Sequence, residues 1–174
     1  MIREENEIMN IYPSLYLDSV KNINATLLKK NKLSGLILDV DNTLIDYDRN
    51  LIDGAEKWCD SLKKEGIKCI ILSNSNKKDK VESVAKKLDI EYILFAKKPM
   101  KCGFKKALES LKLEPEEVAV VGDQLFTDVL GARRMNMFSI LVKQVGKKDI
   151  FITKVKRPIE NAIIKKYLKE KGKI

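Results

Sequence analysis

Histidine is absent from all 174 residues. That absence excludes Ser-His-Asp hydrolysis, Cys-His proteolysis and His-ligated zinc, so any acid/base chemistry falls to carboxylates, lysine, tyrosine or cysteine. Cysteine is scarce too. Cys59, Cys69 and Cys102 form no CxxC pair and, being three, cannot all pair, which fits a reducing compartment and a packing role. No uncharged run approaches the roughly 20 residues of a membrane span, the longest being Ile8 to Leu17. The N-terminus has no basic stretch leading into an apolar one, so a cytoplasmic protein is expected. Repeats and low-complexity linkers are missing as well. The expectation is one domain over 1–174, with a helical arm at 1–32, a catalytic core at 33–142 and a basic segment at 143–174.

What is present is ordinary for a soluble globule, 44% hydrophobic and 34% charged, except for where the charge lies. The net charge is +9, and residues 143–174 hold 11 basic against 3 acidic residues, leaving +1 for all that precedes them. A basic tail on a near-neutral body points to an anionic surface, lipid or nucleic acid; a solvated lysine face is the plain alternative.

From Leu33 onward, short apolar runs alternate with helical patterns, the mark of βαβ units. Strands are predicted at Leu33–Val40, Ile67–Leu72, Tyr92–Phe95, Val118–Val121 and Phe138–Val142. Helices are predicted at Gly54–Lys64, Lys77–Leu88, Gly103–Leu111 and from Thr127 and Asp128 to Met135. Ahead of them, Leu17, Val20, Ile23, Asn24, Leu27 and Leu28 give a helical stripe that predicts an amphipathic helix over Leu15–Lys30. Tyr12, Leu15 and Tyr16 beside it suit either core or an interfacial patch. Lys143–Arg157 reads as loop, and Pro158 opens a last amphipathic helix carrying Ile159, Ile163, Ile164 and Leu168. The predicted fold is α/β, a three-layer Rossmann-like arrangement with a mostly parallel five-stranded sheet and helices on both faces.

Chemistry collects where these strands end. The first run delivers Asp39 and Asp41, followed at once by Asn42 and Thr43. Two carboxylates this close tolerate ionisation only near a cation or by sharing a proton, which suggests a divalent metal with a phosphorylated substrate. Ser73-Asn74, Lys97-Lys98-Pro99 and Gly122 through Asp128 end later strands, and right-handed crossovers would bring all four loops to one sheet edge. Taken singly, Ser73-Asn74 suits a turn, Asp128 a helix cap, and the two lysines nothing in particular.

In this order the four loops resemble the haloacid dehalogenase (HAD) superfamily. Asp39-Val40-Asp41-Asn42-Thr43 matches its DxDxT motif, Ser73 its second motif, Lys98 its third, and Gly122 to Asp128 its GDxxxTD motif. The resemblance implies Asp39 as nucleophile, Asp41 as general acid and base, and Lys98 as the cation beside the phosphoryl group, with Lys97 competing for that place. Asn42, Ser73 and Asn74 would bind phosphate. Asp39, Asp41 through its backbone carbonyl, and Asp123 would hold Mg²⁺, with Asp128 nearby or reaching it through water. Only 29 residues separate Thr43 from Ser73, and 24 separate Ser73 from Lys98, too few for the cap domains of the superfamily. An open site suits a large substrate or closure by a neighbouring subunit.

The DxDNT start, the Lys-Pro turn and the GDQLxTD run resemble, within the superfamily, the YqeG group related to phosphatidylglycerophosphate phosphatases; looser matches extend to the run Thr153 to Glu160. What this implies is a phosphomonoester on a lipid headgroup, met at the inner face of a membrane by the first and last helices. A soluble sugar-phosphate or nucleotide phosphatase, and a binding protein with a vestigial site, stay as alternatives. A nucleic-acid role lacks an aromatic-rich basic groove.

Overall fold

Neighbouring residues of the central strands face opposite layers, as strand geometry requires. Leu36 and Leu38 join one core with Trp58, Leu62, Ile71, Val81 and Val121, while Ile37 between them joins a second with Ile70, Leu72 and Phe104. A strand buried on both faces needs helices on both, and the computed structural model supplies them. It describes residues 11–146 and 151–172, with the side chains of 151–157 excepted.

Among the described residues six strands form one sheet: β1 (Leu15–Leu17), β2 (Gly35–Leu38), β3 (Lys68–Leu72), β4 (Glu91–Ile93), β5 (Val118–Gly122) and β6 (Phe138–Val142). Their order is β1-β6-β5-β2-β3-β4 and every pairing is parallel. Helices Ala55–Lys64 and Lys78–Leu88 carry the chain from β2 to β3 and on to β4, packing on the first core. Helix Lys101–Leu111 returns it to β5 against the second core. The strand order therefore reverses between β2 and β5, and the crevice at their C-terminal ends is where open α/β sheets bind ligands. One helix lies between the first and second motifs and one between the second and third, so neither interval holds a folded insert.

Two expectations need correction. The sheet has six strands, not five, because Leu15–Leu17 pairs with Ile140–Val142 and does not begin a helix. A three-residue strand draws its stability from its partner, 125 residues away, so its own periodicity carries little signal. The rest of the predicted helix breaks into a 3₁₀ turn, Val20–Asn22, and a helix, Ala25–Lys30. Ser19 and Asn24 cap these pieces through side-chain oxygens that accept from Lys21 N and Leu27 N. Val20, Ile23 and Leu28 are fully buried, so the stripe faces the core.

The second correction concerns the other end. The last helix spans Phe151–Glu170 with Pro158 inside it, so of the expected loop Lys143–Arg157 only 143–146 are irregular among the described residues, while 147–150 lie outside them. Proline inside a helix forfeits one backbone bond, yet anchoring downstream is extensive. Glu160 and Tyr167 are buried, and Ile163 and Ile164 pack on Leu125, Val129 and Leu141. Tyr12 stacks edge-on against Tyr167 at 5.4 Å, which places it among packed residues. Cys59 is buried and Cys69 half-buried as expected, but Cys102 is exposed. No helix among the described residues is long and apolar enough to cross a membrane.

Candidate active site

The Asp39 amide donates to the Val121 carbonyl at 2.9 Å, so the β2–β5 ladder runs one residue past the strand and fixes where its carboxylate emerges. The Asp39 side chain is 10% exposed. The Lys98 ammonium donates to Asp39 Oδ1 at 2.6 Å and to Asp128 Oδ1 at 2.7 Å. Thr43 Oγ1 lies 3.4 Å from both Asp39 Oδ2 and Asp123 Oδ1, bridging the ends of β2 and β5. Carboxylate oxygens of Asp39, Asp123 and Asp128 come within 4.8 Å of one another.

Local structure explains this convergence. Asp128 folds back over β5 in a π-helical turn, Leu125–Val129, and a Cβ on Gly122 would sit 2.2 Å from its carboxyl group, so only glycine leaves the room. Gln124 N donates to Asp128 Oδ2 at 3.3 Å, and Phe126 N donates to Glu160 Oε1 at 3.1 Å. The turn is thus tied to the C-terminal helix. Across the crevice, Asn74 Oδ1 accepts from Lys98 N at 2.7 Å and Asn74 Nδ2 donates to Lys98 O at 3.1 Å. This two-point clamp fixes the backbone of the lysine that faces inward, while Lys97 is exposed.

Asp41 is held apart from this cluster. Lys80, from helix Lys78–Leu88, places its ammonium 2.5 and 2.6 Å from the two Asp41 oxygens. The Lys80 side chain is only 7% exposed, against 32% for Asp41. Asn42 adopts φ 58°, a left-handed conformation that asparagine tolerates, and its carbonyl accepts from Val145 N at 2.8 Å. Ser73 is buried at the end of β3, where its hydroxyl oxygen accepts from Ser75 N at 3.1 Å. Asp39, Asp123, Asp128 and Lys98 therefore share one cluster, Asn74 supports it, and Asp41, Asn42 and Ser73 border it.

Burial raises the Asp39 carboxyl from 3.8 to about 6; Lys98 pulls it down, and the Asp128 and Asp41 charges push it up. For Lys98, burial alone would lower the pKa, but Asp128 and Asp39 outweigh it and hold the ammonium above the ordinary lysine value. Three buried carboxylates thus face one buried cation. Hard oxygen donors with unmatched negative charge suit a divalent cation such as Mg²⁺.

The haloacid dehalogenase-like hydrolase family matches residues 45–136. Over 163 residues the chain is 38% identical to the Bacillus subtilis protein named "Probable phosphatase YqeG", covering 93% of this chain and 94% of that one. The chain belongs to the haloacid dehalogenase-like hydrolase family. It is a HAD phosphatase. A glyceraldehyde 3-phosphate phosphatase of Pyrococcus furiosus is 34% identical over 59% of this chain, which spans 45% of that enzyme. Solved structures agree on the fold. A Listeria monocytogenes protein superposes with TM-score 0.55 at 20% identity, covering 68% of this chain and 85% of that one. A cobalt-bound deoxy-D-mannose-octulosonate 8-phosphate phosphatase of Haemophilus influenzae gives 0.54 at 16%, covering 68% and 83%.

Sequence reasoning about this HAD phosphatase missed two residues. Lys80 stands in a helix where lysine after lysine faces solvent, so composition hid it. Glu160 left a usable trace: it shares a helical stripe with Ile163, Ile164 and Tyr167, and a carboxylate on an apolar face needs a partner.

Proposed function

We propose that this chain is a Mg²⁺-dependent phosphomonoester hydrolase acting through an aspartyl-phosphate on Asp39, as one capless catalytic unit over 1–174, with phosphatidylglycerophosphate at an anionic membrane surface as substrate. The observation that carries the chemistry is the buried Asp39–Lys98–Asp128 arrangement with Asp123 beside it. Asp39 attacks phosphorus in line, and the bond to the leaving oxygen breaks as Asp41 gives that oxygen a proton. In the second step Asp41 takes a proton from water, which attacks the acyl phosphate and frees Asp39 and inorganic phosphate. Lys80 aims the Asp41 carboxylate by gripping both of its oxygens.

Lys98 offsets charge on the phosphoryl oxygens, and Ser73 with the Asn42 and Asn74 backbones donates hydrogen bonds to them. Asp39, Asp123, the Asp41 carbonyl and Asp128 would hold Mg²⁺, which when bound supplies Lewis-acid neutralisation of the transferring group. Asn74, whose side chain clamps Lys98, acts on phosphate through its backbone and through that lysine.

A lipid substrate draws support from the YqeG relative together with the lipid-phosphatase resemblance of the motifs, the open site and the net charge of +9. A second reading, a small soluble sugar phosphate, draws support from the similarity to glyceraldehyde 3-phosphate phosphatase. A panel of phosphatidylglycerophosphate in mixed micelles, glyceraldehyde 3-phosphate and hexose phosphates separates them. The lipid reading predicts the highest kcat/KM on the micelles. Higher kcat/KM on a triose phosphate, with indifference to detergent or vesicles, would replace it by the second.

A further inference from the structure

The apolar stripes expected to meet a membrane are spent elsewhere, since Val20, Ile23 and Leu28 of the first segment and Tyr167 of the last helix are buried. The large hydrophobic residues that do reach solvent among the described ones are Tyr47, Phe95, Met100 and Ile159. Two of these flank Lys98. Along this loop Ala96 and Lys98 are buried while Phe95 and Met100 are 62% and 58% exposed, and Lys97 and Lys101 are exposed between and beside them. Phe95 and Lys97 take φ of 50° and 54°, left-handed values disfavoured for side chains of this size. The backbone thus accepts strain to turn the site residues inward and an aromatic and a lysine outward.

Charge continues around the loop. Phe95 N donates to Ser75 O at 3.5 Å, which brings the loop against the segment carrying exposed Lys77 and Lys78. On its other side a cleft of about 780 Å³ is lined by Met100, Lys101, Cys102, Arg133, Arg134 and Asn136. None of these six cations forms an ion pair among the described residues. Tyr47 lies between Asp46 and Asp48 and is left outside the patch.

We propose that the 95–101 loop and the Arg133–Arg134 cleft form the docking surface for an anionic lipid bilayer, with Phe95 and Met100 entering the interface and the cations around the loop meeting phosphate headgroups. A second copy of the chain fits this surface poorly, because a two-fold contact would set the same lysines and arginines against each other. A bilayer offers the opposite charge and an apolar layer to receive the two side chains. The inference rests on the lipid reading of the site and adds its orientation: the loop that carries Lys98 lies against the membrane.

The test is co-sedimentation of the full chain with phosphatidylglycerol vesicles, beside turnover of p-nitrophenyl phosphate and sedimentation velocity. Phe95→Ser/Met100→Ser and Arg133→Gln/Arg134→Gln are each compared with the wild type. Each pair should weaken vesicle binding, the arginine pair by roughly thirtyfold, with p-nitrophenyl phosphate turnover unchanged and wild-type binding lost on phosphatidylcholine. Unaltered vesicle binding in both pairs, or a shift from oligomer to monomer in its place, overturns the docking surface. If the wild type hydrolyses the lipid in micelles while the variants bind like it, only the surface falls; if binding follows the prediction and the lipid is not hydrolysed, only the substrate falls.

Discussion

Asp39 and Asp41 stand two residues apart in the chain, yet their surroundings differ in kind. Asp39 lies in a buried network of three carboxylates, a threonine and one lysine whose supports come from β4, β5 and, through Glu160, the C-terminal helix. Asp41 lies at the rim, a third exposed, and answers to one lysine from one helix. Covalent chemistry and charge binding need the first environment, where desolvation strengthens every electrostatic contact. Proton exchange with a leaving group and with water suits the second, which solvent reaches.

The contrast breaks most severely at Asp39, the proposed nucleophile. Asp39→Asn should lower Mg²⁺-dependent phosphate release by on the order of 10⁴ or more on every substrate, since an amide in its place does not form the acyl phosphate. Normal turnover in a stopped assay of that variant would remove Asp39 from the reaction. Asp41→Asn should be selective between steps: steady-state turnover falls by about 10² to 10⁴ on an alkyl phosphomonoester and also falls on p-nitrophenyl phosphate, because water loses its base, while the first-turnover burst of p-nitrophenol, a leaving group that needs no proton, is nearly kept. Loss of that burst as well would place Asp41 in the phosphate-binding floor.

Stability should move in the opposite direction from activity. The Asp39 carboxyl titrates near 6 when folded and near 3.8 when free, so between those values the folded state binds more protons and stability falls as pH rises. Above pH 6 ionised Asp39 costs the metal-free fold up to about 3 kcal/mol. Asp39→Asn should therefore raise the melting temperature in chelator at pH 7.5 and lose that advantage below pH 4. A gain independent of pH would assign the effect to packing.

Lys80 sharpens the rim side. Lys80→Met should reduce steady-state kcat by about tenfold to thirtyfold on alkyl esters and on p-nitrophenyl phosphate through loss of Asp41 orientation, with KM and the p-nitrophenol burst nearly kept and Arg restoring part of the loss. A rise in KM on both substrates with kcat kept would make it a phosphate ligand. The smallest effect on turnover is expected at Glu160→Ala, which leaves the Phe126 amide without its acceptor at a stability cost of about 1 to 3 kcal/mol, measured by chemical denaturation. Such a loss accompanied by weaker Mg²⁺ binding in calorimetry would show how far the floor leans on the last helix.

Much of this arrangement was legible before any coordinates. β2 to β6 announce themselves because buried parallel strands are short apolar runs bounded by polar loops, and the acids and lysine at their ends appear in motif order. What stayed hidden depends on partners far away in sequence. Leu15–Leu17 becomes a strand only beside Ile140–Val142, and Lys80 differs from its solvated neighbours only once helix Lys78–Leu88 lies over the first motif. Glu160 could be flagged as a misplaced charge, but its acceptor role on Phe126 required the π-helical turn.

β1 and Glu160 together set a timetable. Asp39 and Lys98 are synthesised early, yet the outer strand cannot find its place until Val142 exists, and the turn bearing Asp128 is not latched until residue 160 has followed. Chains growing at about 5 to 20 residues per second therefore pass through an interval in which β1 waits without its partner and the carboxylate cluster is loose. A nascent chain held at residue 145 would carry every side chain of the proposed site and still bind metal poorly, so competence arrives late and nearly all at once.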